Sequence, residues 1–205
     1  MELKIQQADF LTSATAKEAF PPEDMAELAF AGRSNVGKSS LINALCHRKK
    51  LVRVSNTPGR TRTLNFFTVT LQRSVQRPFQ LRLCDMPGYG YAKVSKAERK
   101  DWEAFIEVYL LNRPQLKCVV QLVDGEVGPT ELDVETREWL QGMSHVPLIV
   151  ATKMDRLGKA HRKPALHQHE QALGVARDSI LGVSAEEGLN LDVLWKTLLG
   201  RLQDT

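Results

Sequence analysis

The chain has 205 residues, 42% of them hydrophobic and 25% charged, which suits one domain with a real core and excludes wholesale disorder. Its net charge of +4 is unevenly spread: no acidic residue lies between Glu27 and Asp85, so residues 28–84 carry +11 and the rest −7. That asymmetry points to a polyanion beside the basic segment. Cys46, Cys84 and Cys118 form neither a disulfide framework nor a metal-ligand spacing, which fits a reducing compartment. Cys84 and Cys118 sit in apolar runs, as small core residues do. No apolar run approaches the roughly 20 residues that span a bilayer, and the first residues lack a signal core. A cytoplasmic location without membrane attachment is expected.

In chain order, residues 1–24, ending near Pro21-Pro22, form a lead-in that packs on the domain formed by 25–205. Residues 26–31 are expected as a strand and 39–46 as a helix. Residues 64–71 and 79–84 form two strands joined by a short polar turn at Arg73-Ser74, hence an antiparallel pair. Trp102, Phe105, Ile106, Tyr109 and Leu110 recur at helical spacing. Strands follow at 117–123, 146–151 and 179–183, and helices at 129–140, through the polar stretch after 155, and from Leu191, with Asn190 as N-cap. This alternation predicts an α/β sheet, largely parallel, covered on both faces.

Gly32-Arg-Ser-Asn-Val-Gly-Lys-Ser39 matches G-x-x-x-x-G-K-[ST] between a predicted strand and helix. The glycines let backbone N–H groups turn inward on phosphate oxygens, and the helix N-terminus adds partial positive charge. Lys38 neutralises the outer phosphates and the Ser39 hydroxyl suits Mg²⁺. Thr152-Lys-Met-Asp155 follows a strand, where an open sheet presents its binding loops. The Asp155 carboxylate can accept from both donors on the guanine edge, a pair adenine lacks, and Lys153 can lay its stem along the base. Ser184-Ala-Glu186 follows the next strand and offers a backbone N–H to the guanine carbonyl.

Asp85-Met-Pro-Gly88 ends another strand, with Asp85 suited to water-mediated Mg²⁺ and Gly88 to the γ-phosphate. In Thr57-Pro-Gly-Arg-Thr-Arg-Thr63 one threonine supplies a second Mg²⁺ hydroxyl; Thr61 is preferred, while spacing leaves Thr57 and Thr63 open. Loops ordered by the γ-phosphate and released on hydrolysis form a switch. Tyr89 occupies the position where Ras-like enzymes carry a water-orienting Gln, and lacks an amide. Slow intrinsic hydrolysis is expected, with Tyr89 and Tyr91 on the surface or against a partner.

These segments, with Pro58-Gly-Arg-Thr-Arg-Thr-Leu-Asn-Phe-Phe67 and Asp85-Met-Pro-Gly-Tyr-Gly-Tyr-Ala92, resemble the bacterial EngB family of ribosome-assembly GTPases in the Era-like group. The resemblance covers nearly the whole chain. It implies a P-loop NTPase of the Ras-like type: a three-layer α/β sandwich whose mostly parallel six-stranded sheet has its second strand antiparallel. It implies Thr61 beside Ser39 as Mg²⁺ ligand, and nucleotide contacts from Gly59, Arg60, Thr61, Arg62 and Thr63. The phosphate loop would add Gly32, Arg33, Ser34, Asn35, Val36, Gly37, Lys38 and Ser39. Contacts from Asp85, Met86, Pro87 and Gly88 complete the phosphate side. The base would meet Thr152, Lys153, Met154, Asp155, Val183, Ser184 and Ala185.

Lys38, Asn35, Thr61 and Gly88 carry the expected catalytic roles. Asn35 resembles the asparagine with which related GTPases help hold K⁺, its alternative being a loop-turn role. The implied biology is assembly of the large ribosomal subunit, and with it normal division and septation. The implied partner is a subunit precursor, ribosomal RNA and protein together, met by a monomer. Two basic clusters, Arg48-Lys-Lys50 with Arg53 and Lys93, Lys96, Arg99, Lys100, flank the switch segments and suit RNA phosphates. A nucleotide-gated RNA-binding switch with negligible intrinsic hydrolysis is the alternative; a P-loop kinase or ATPase is disfavoured by Asp155. His161, His167 and His169 lie in a Lys-rich helical stretch without metal spacing and are expected on a solvated surface.

Overall fold

The computed structural model describes residues 3–52, 63–75, 77–89 and 96–202, with the backbone alone over 96–100. Its strands are β1 (Leu3–Ala14), β2 (Glu27–Gly32), β3 (Leu64–Arg73), β4 (Phe79–Asp85), β5 (Leu116–Asp124), β6 (Leu148–Thr152) and β7 (Leu181–Gly182). Its helices are α1 (Lys38–Leu45), α2 (Lys96–Leu111), α3 (Glu131–Gly142), α4 (Lys159–Leu173) and α5 (Leu191–Arg201). The strands form one sheet in the order β1-β3-β4-β2-β5-β6-β7. β3 runs antiparallel to both β1 and β4; the remaining pairings are parallel.

Every residue of β2 is buried, as expected of a strand covered on both faces and flanked by parallel neighbours. Leu41, Ile42 and Leu45 of α1 and Leu194, Trp195, Leu198 and Leu199 of α5 close one face of the sheet. Ile106, Tyr109 and Leu110 of α2 and Leu140 of α3 close the other. The result is the expected three-layer α/β sandwich, with one strand more than the six anticipated. The additional strand comes from the lead-in. Only Ala8 and Ala14 of β1 are buried. Its edge position leaves Gln6, Gln7 and Asp9 in solvent, so the strand lacks the apolar alternation that marks a half-buried one.

Other boundaries shift for local reasons. α3 begins two residues after Pro129 because Thr130 takes the N-cap and forms a capping box with Asp133. Asn190 does sit at the N-cap of α5, but in a left-handed conformation, and its amide donates to the Gly182 carbonyl at 2.8 Å instead of capping the helix. His169 is not on a solvated surface: it is buried, with Nε2 at 2.9 Å from the Gly125 carbonyl. On α4 the neighbouring His167 instead pairs with Glu170 at 2.9 Å. All three cysteines are buried free thiols, and burial pushes Cys46 up to about 12 and Cys118 up to about 11.

The end of the sheet where β2 begins is fixed by a buried ion cluster. Glu27, wholly buried, pairs with the Arg113 guanidinium and accepts from the Tyr109 hydroxyl at 3.2 Å. Arg113 also donates to the Pro21 carbonyl at 2.9 Å, and Arg82 to the Pro22 carbonyl and Asp24 at 2.5 Å each. Beside them the Phe20 ring packs edge-on against Phe66 and Tyr109. The segment before β2 is thereby tied to the core by both charge and aromatic contact. Arg113→Ala strands the Glu27 carboxylate without its main partner and is expected to cost about 3–5 kcal/mol, read as a lower urea midpoint.

Candidate nucleotide-binding site

The turn from β2 into α1 leaves residues 33–37 to curl, and two of them take positive φ: Asn35 at 62° and Gly37 at 97°. Asparagine tolerates that region; at Gly37 any side chain would be strained. The first N–H groups of α1 lack intrahelical partners and open onto this turn, as an anion site requires. Lys38, the first residue of α1, directs its ammonium onto the Asp85 carboxylate. Asp85 stands there because β4 runs parallel to β2 with Phe30 opposite Asp85. Beyond it, Gly88 lies flat against the phosphate loop: a Cβ on it would stand 3.1 Å from the Ser34 nitrogen and 3.3 Å from the Gly32 carbonyl. Close backbone approach therefore favours glycine here.

On the other side of β2, the chain pairs β5 with β6 so that Asp124 faces Thr152. The Thr152 hydroxyl reaches the Val36 carbonyl at 2.5 Å and the Val123 carbonyl at 3.2 Å, joining the base loop to the phosphate loop. Lys153 takes a left-handed φ of 57° and places its ammonium 2.6 Å from Asp124. Asp124 also accepts from the Glu126 and Val127 N–H groups at 3.0 and 3.1 Å. Burial alone would raise its carboxyl, but the Lys153 and backbone donors outweigh that and hold it below the ordinary value. Asp155 lies in a single helical turn, Met154–Arg156, and accepts from the Ser184 hydroxyl at 2.5 Å. Met154 N–H donates to the Val183 carbonyl at 3.1 Å, locking the ends of β6 and β7 together.

The phosphate loop, the turn after β4 and Lys153 share a cavity of about 960 Å³, whose lining does not include Thr152, Asp155, Val183, Ser184 or Ala185. Arg33, Ser34, Asn35, Gly37, Lys38 and Ser39 line it from the phosphate loop, Asp85 to Gly88 from β4, and Lys153 and Arg156 from the β6 end. Asp155 and Ser184 are joined beside Lys153, and Ala185 follows Ser184. Gly32 and Val36 support the loop from beneath; Val36 is buried in the core. Thr63 donates to Asn65 at 3.1 Å. Thr57, Gly59, Arg60, Thr61 and Arg62 lie outside the described residues, as do Arg53, Tyr91 and Lys93 and the side chains of Lys96, Arg99 and Lys100. Arg48, Lys49 and Lys50 are exposed, and Lys50 reaches the cavity wall.

Sequence reasoning did not anticipate several wall and support residues. Phe10 and Ser13 of β1 join Asn65 and Phe67 in the cavity wall, so the lead-in contributes to the site. Asp124 was hidden by being a single acid at a strand end, although Asp-Gly after an apolar run was the available signal. Tyr89 differs from expectation. It is half-buried, its ring packs on the core beside α2, and its hydroxyl donates to Asp133 at 3.0 Å. Burial, then the Asp133 charge, keeps that hydroxyl protonated well above its ordinary range.

A family model for the 50S ribosome-binding GTPase matches residues 27–154. The chain is 51% identical over 197 residues to a protein of Myxococcus xanthus named a probable GTP-binding protein EngB, covering 96% of this chain and 95% of that one. It belongs to the EngB family of GTPases. A second EngB protein, from Anaeromyxobacter dehalogenans, is 48% identical over 97% of this chain and 92% of its own length. Among solved structures, a probable GTP-binding protein EngB superposes with a TM-score of 0.63 at 21% identity, covering 88% of this chain and 100% of that one. Era in complex with MgGDPNP and a 16S ribosomal RNA fragment superposes with a TM-score of 0.68 at 24% identity, covering 88% and 58%. Both structural likenesses concern the fold. Among the described residues no helix is long and apolar enough to cross a membrane.

The Asp124 pairing gives a signed pH dependence in this EngB-family chain. A carboxyl held below its ordinary 3.8 stabilises the fold fully above that value and loses the effect as pH falls through the lower folded-state value. Urea unfolding of wild type and Asp124→Asn should therefore differ by a constant amount from about pH 5 upward, and the difference should begin to shrink only as pH falls below the ordinary 3.8 toward the lower folded-state value.

Proposed function

We propose that this EngB-family GTPase is a Mg²⁺-dependent GTP switch acting in the cytoplasm on precursors of the large ribosomal subunit, and through that on division and septation. The observation that carries the nucleotide reading is the meeting of four loops at one end of the sheet. Lys38 with Asp85 marks the phosphate end and Lys153, Asp124, Asp155 and Ser184 the base end. In this reading Lys38, Asn35, Thr61 and Gly88 act at the phosphates, and Asp155 reads guanine. Ser39 and Asp85 line the cavity on either side of Lys38 and supply the hard oxygen donors that Mg²⁺ takes. Ser39 and Thr61 would hold the ion and Asp85 would support it through water; the bound ion supplies charge neutralisation at the outer phosphates. Residues 25–205 serve as the GTP-binding domain, with 1–24 packed on it.

Tyr89 commits its hydroxyl to Asp133, away from any water-orienting role, so intrinsic hydrolysis is slow and the activating group comes from the partner. The same observation favours the second reading, an RNA-binding switch whose hydrolysis only resets it. A non-hydrolysable GTP analogue that supports one round of subunit maturation selects the second reading, and one that blocks it selects the first. Asn35 takes the left-handed turn of the loop, which suits the loop-turn role; single-turnover rates that match in K⁺ and Na⁺ leave it that role alone.

Two measurements test the proposal. Asp155→Asn should weaken GTP and GDP about 10- to 100-fold, as expected for lost hydrogen bonds to a charged group, while ATP binding stays weak. Unchanged GTP affinity would sink the guanine assignment. The exposed Arg48, Lys49 and Lys50 are offered to RNA phosphates, with the protein binding as a monomer. Three such contacts imply roughly a 20-fold loss of association with subunit precursors between 50 and 200 mM salt. Replacing all three with alanine should flatten that dependence, and salt-independent association would exclude phosphate contact.

A further inference from the structure

The carboxylate of Asp133 is wholly buried and has two partners that helix capping does not require, a hydroxyl donor and an ion-paired guanidinium. One oxygen accepts from the Thr130 N–H and hydroxyl, each at 2.8 Å, which accounts for its place at the third position of α3. The same oxygen also stands 3.0 Å from Arg33 Nε in an ion pair, and the other oxygen accepts from the Tyr89 hydroxyl at 3.0 Å. A cap on an exposed helix end needs neither of these last two partners. Burying a carboxylate is costly unless it is paired, so the extra partners mark a second task.

Arg33 and Tyr89 occupy equivalent places. Arg33 follows Gly32 at the entrance to the phosphate loop, and Tyr89 follows Gly88 at the end of the Asp85–Gly88 turn. They form a parallel bridge, and the Tyr89 N–H donates to the Gly32 carbonyl at 3.3 Å. The first residues of two phosphate-facing loops thus end on one carboxylate. The backbone that carries it is held in turn: Gln121, buried within β5, donates to the Asp133 main-chain carbonyl at 2.6 Å. Gly88 lies close against the phosphate loop, where a Cβ would stand 3.1 Å from the Ser34 nitrogen. A displacement of Tyr89 is therefore a displacement of the Gly88 peptide relative to the phosphate loop.

We propose that Asp133 is a positioning residue for the GTPase reaction, fixing the Gly88 peptide against the phosphate loop through Tyr89 and Arg33. Discrimination of the γ-phosphate by this chain then depends on a residue of α3 outside the cavity lining. GDP offers nothing for Gly88 to contact, so loss of the anchor selectively weakens the triphosphate.

The measurement is the affinity of the full chain for GDP and for a non-hydrolysable GTP analogue, with single-turnover hydrolysis alongside. Tyr89→Phe keeps the packed ring and removes only the hydroxyl. It is expected to weaken the analogue about fivefold, the equivalent of one ordinary hydrogen bond, and to slow hydrolysis, with GDP affinity held within about twofold. Asp133→Asn retains a side chain able to cap α3 and is expected to shift the ratio of affinities in the same direction. Equal losses for both nucleotides would indicate a merely structural role and overturn the proposal, as would an unchanged or inverted ratio in Tyr89→Phe. The inference rests on Gly88 as the γ-phosphate contact, so Gly88→Ala is measured in parallel. If Gly88→Ala alone moves the ratio, the anchor is refuted and the site reading stands; if neither variant moves it, both are refuted.

Discussion

The central place of β2, with a parallel strand on each side, is the constraint on which the site depends. Parallel pairing puts the carboxyl ends of β2, β4 and β5 at one edge of the sheet, and the register then decides which residues emerge there together. Phe30 opposite Asp85 on one side and Gly32 opposite Leu122 on the other bring the phosphate loop between two strand ends that both finish in aspartate. Asp85 takes Lys38 and Asp124 takes Lys153, so these two lysines each meet an aspartate delivered by a strand end. A slip of one residue in either pairing would turn those carboxylates toward the opposite face.

Much of this was legible in the sequence because the chemistry of phosphate binding is local. A glycine-bounded loop, a lysine and a hydroxyl in eight consecutive residues leave little freedom in how the backbone is used. The same is true of Thr152 to Asp155, whose spacing already placed it after a strand. What stayed hidden is what two distant segments do to each other. Nothing in the letters around Thr152 says that its hydroxyl bridges to the Val36 carbonyl, 116 residues away. Nor does the isolated Asp124 announce Lys153. β1 was missed for a different reason: an edge strand needs no continuous apolar face, and its polar residues resembled a lead-in. His169 was misplaced because its burial follows from the Gly125 turn it meets, not from its own polar neighbours.

The Thr152 hydroxyl also changes how the two halves of the cavity relate. A single side chain at the end of β6 reaches the Val36 carbonyl in the turn between β2 and α1 and the Val123 carbonyl of β5. Neither segment can move far without breaking a buried hydrogen bond. The end of β6 therefore contributes to the shape of the turn between β2 and α1. At the start of α3, the carboxylate of Asp133 similarly gathers Arg33 and Tyr89.

The register of β1 has one more consequence. Its pairing with β3 shifts twice, between Ile5 and Gln7 and again between Phe10 and Thr12, leaving Gln6 and Leu11 without a direct opposite. Each shift breaks the even spacing of the outward N–H and C=O groups along the sheet margin. A foreign strand laid along that margin would meet its hydrogen-bonding groups only in short stretches, and a stacked copy of the same strand would fare no better. The outermost strand thus closes the nucleotide cavity with Phe10 and Ser13 while making the exposed rim of the sheet a poor template for cross-β growth.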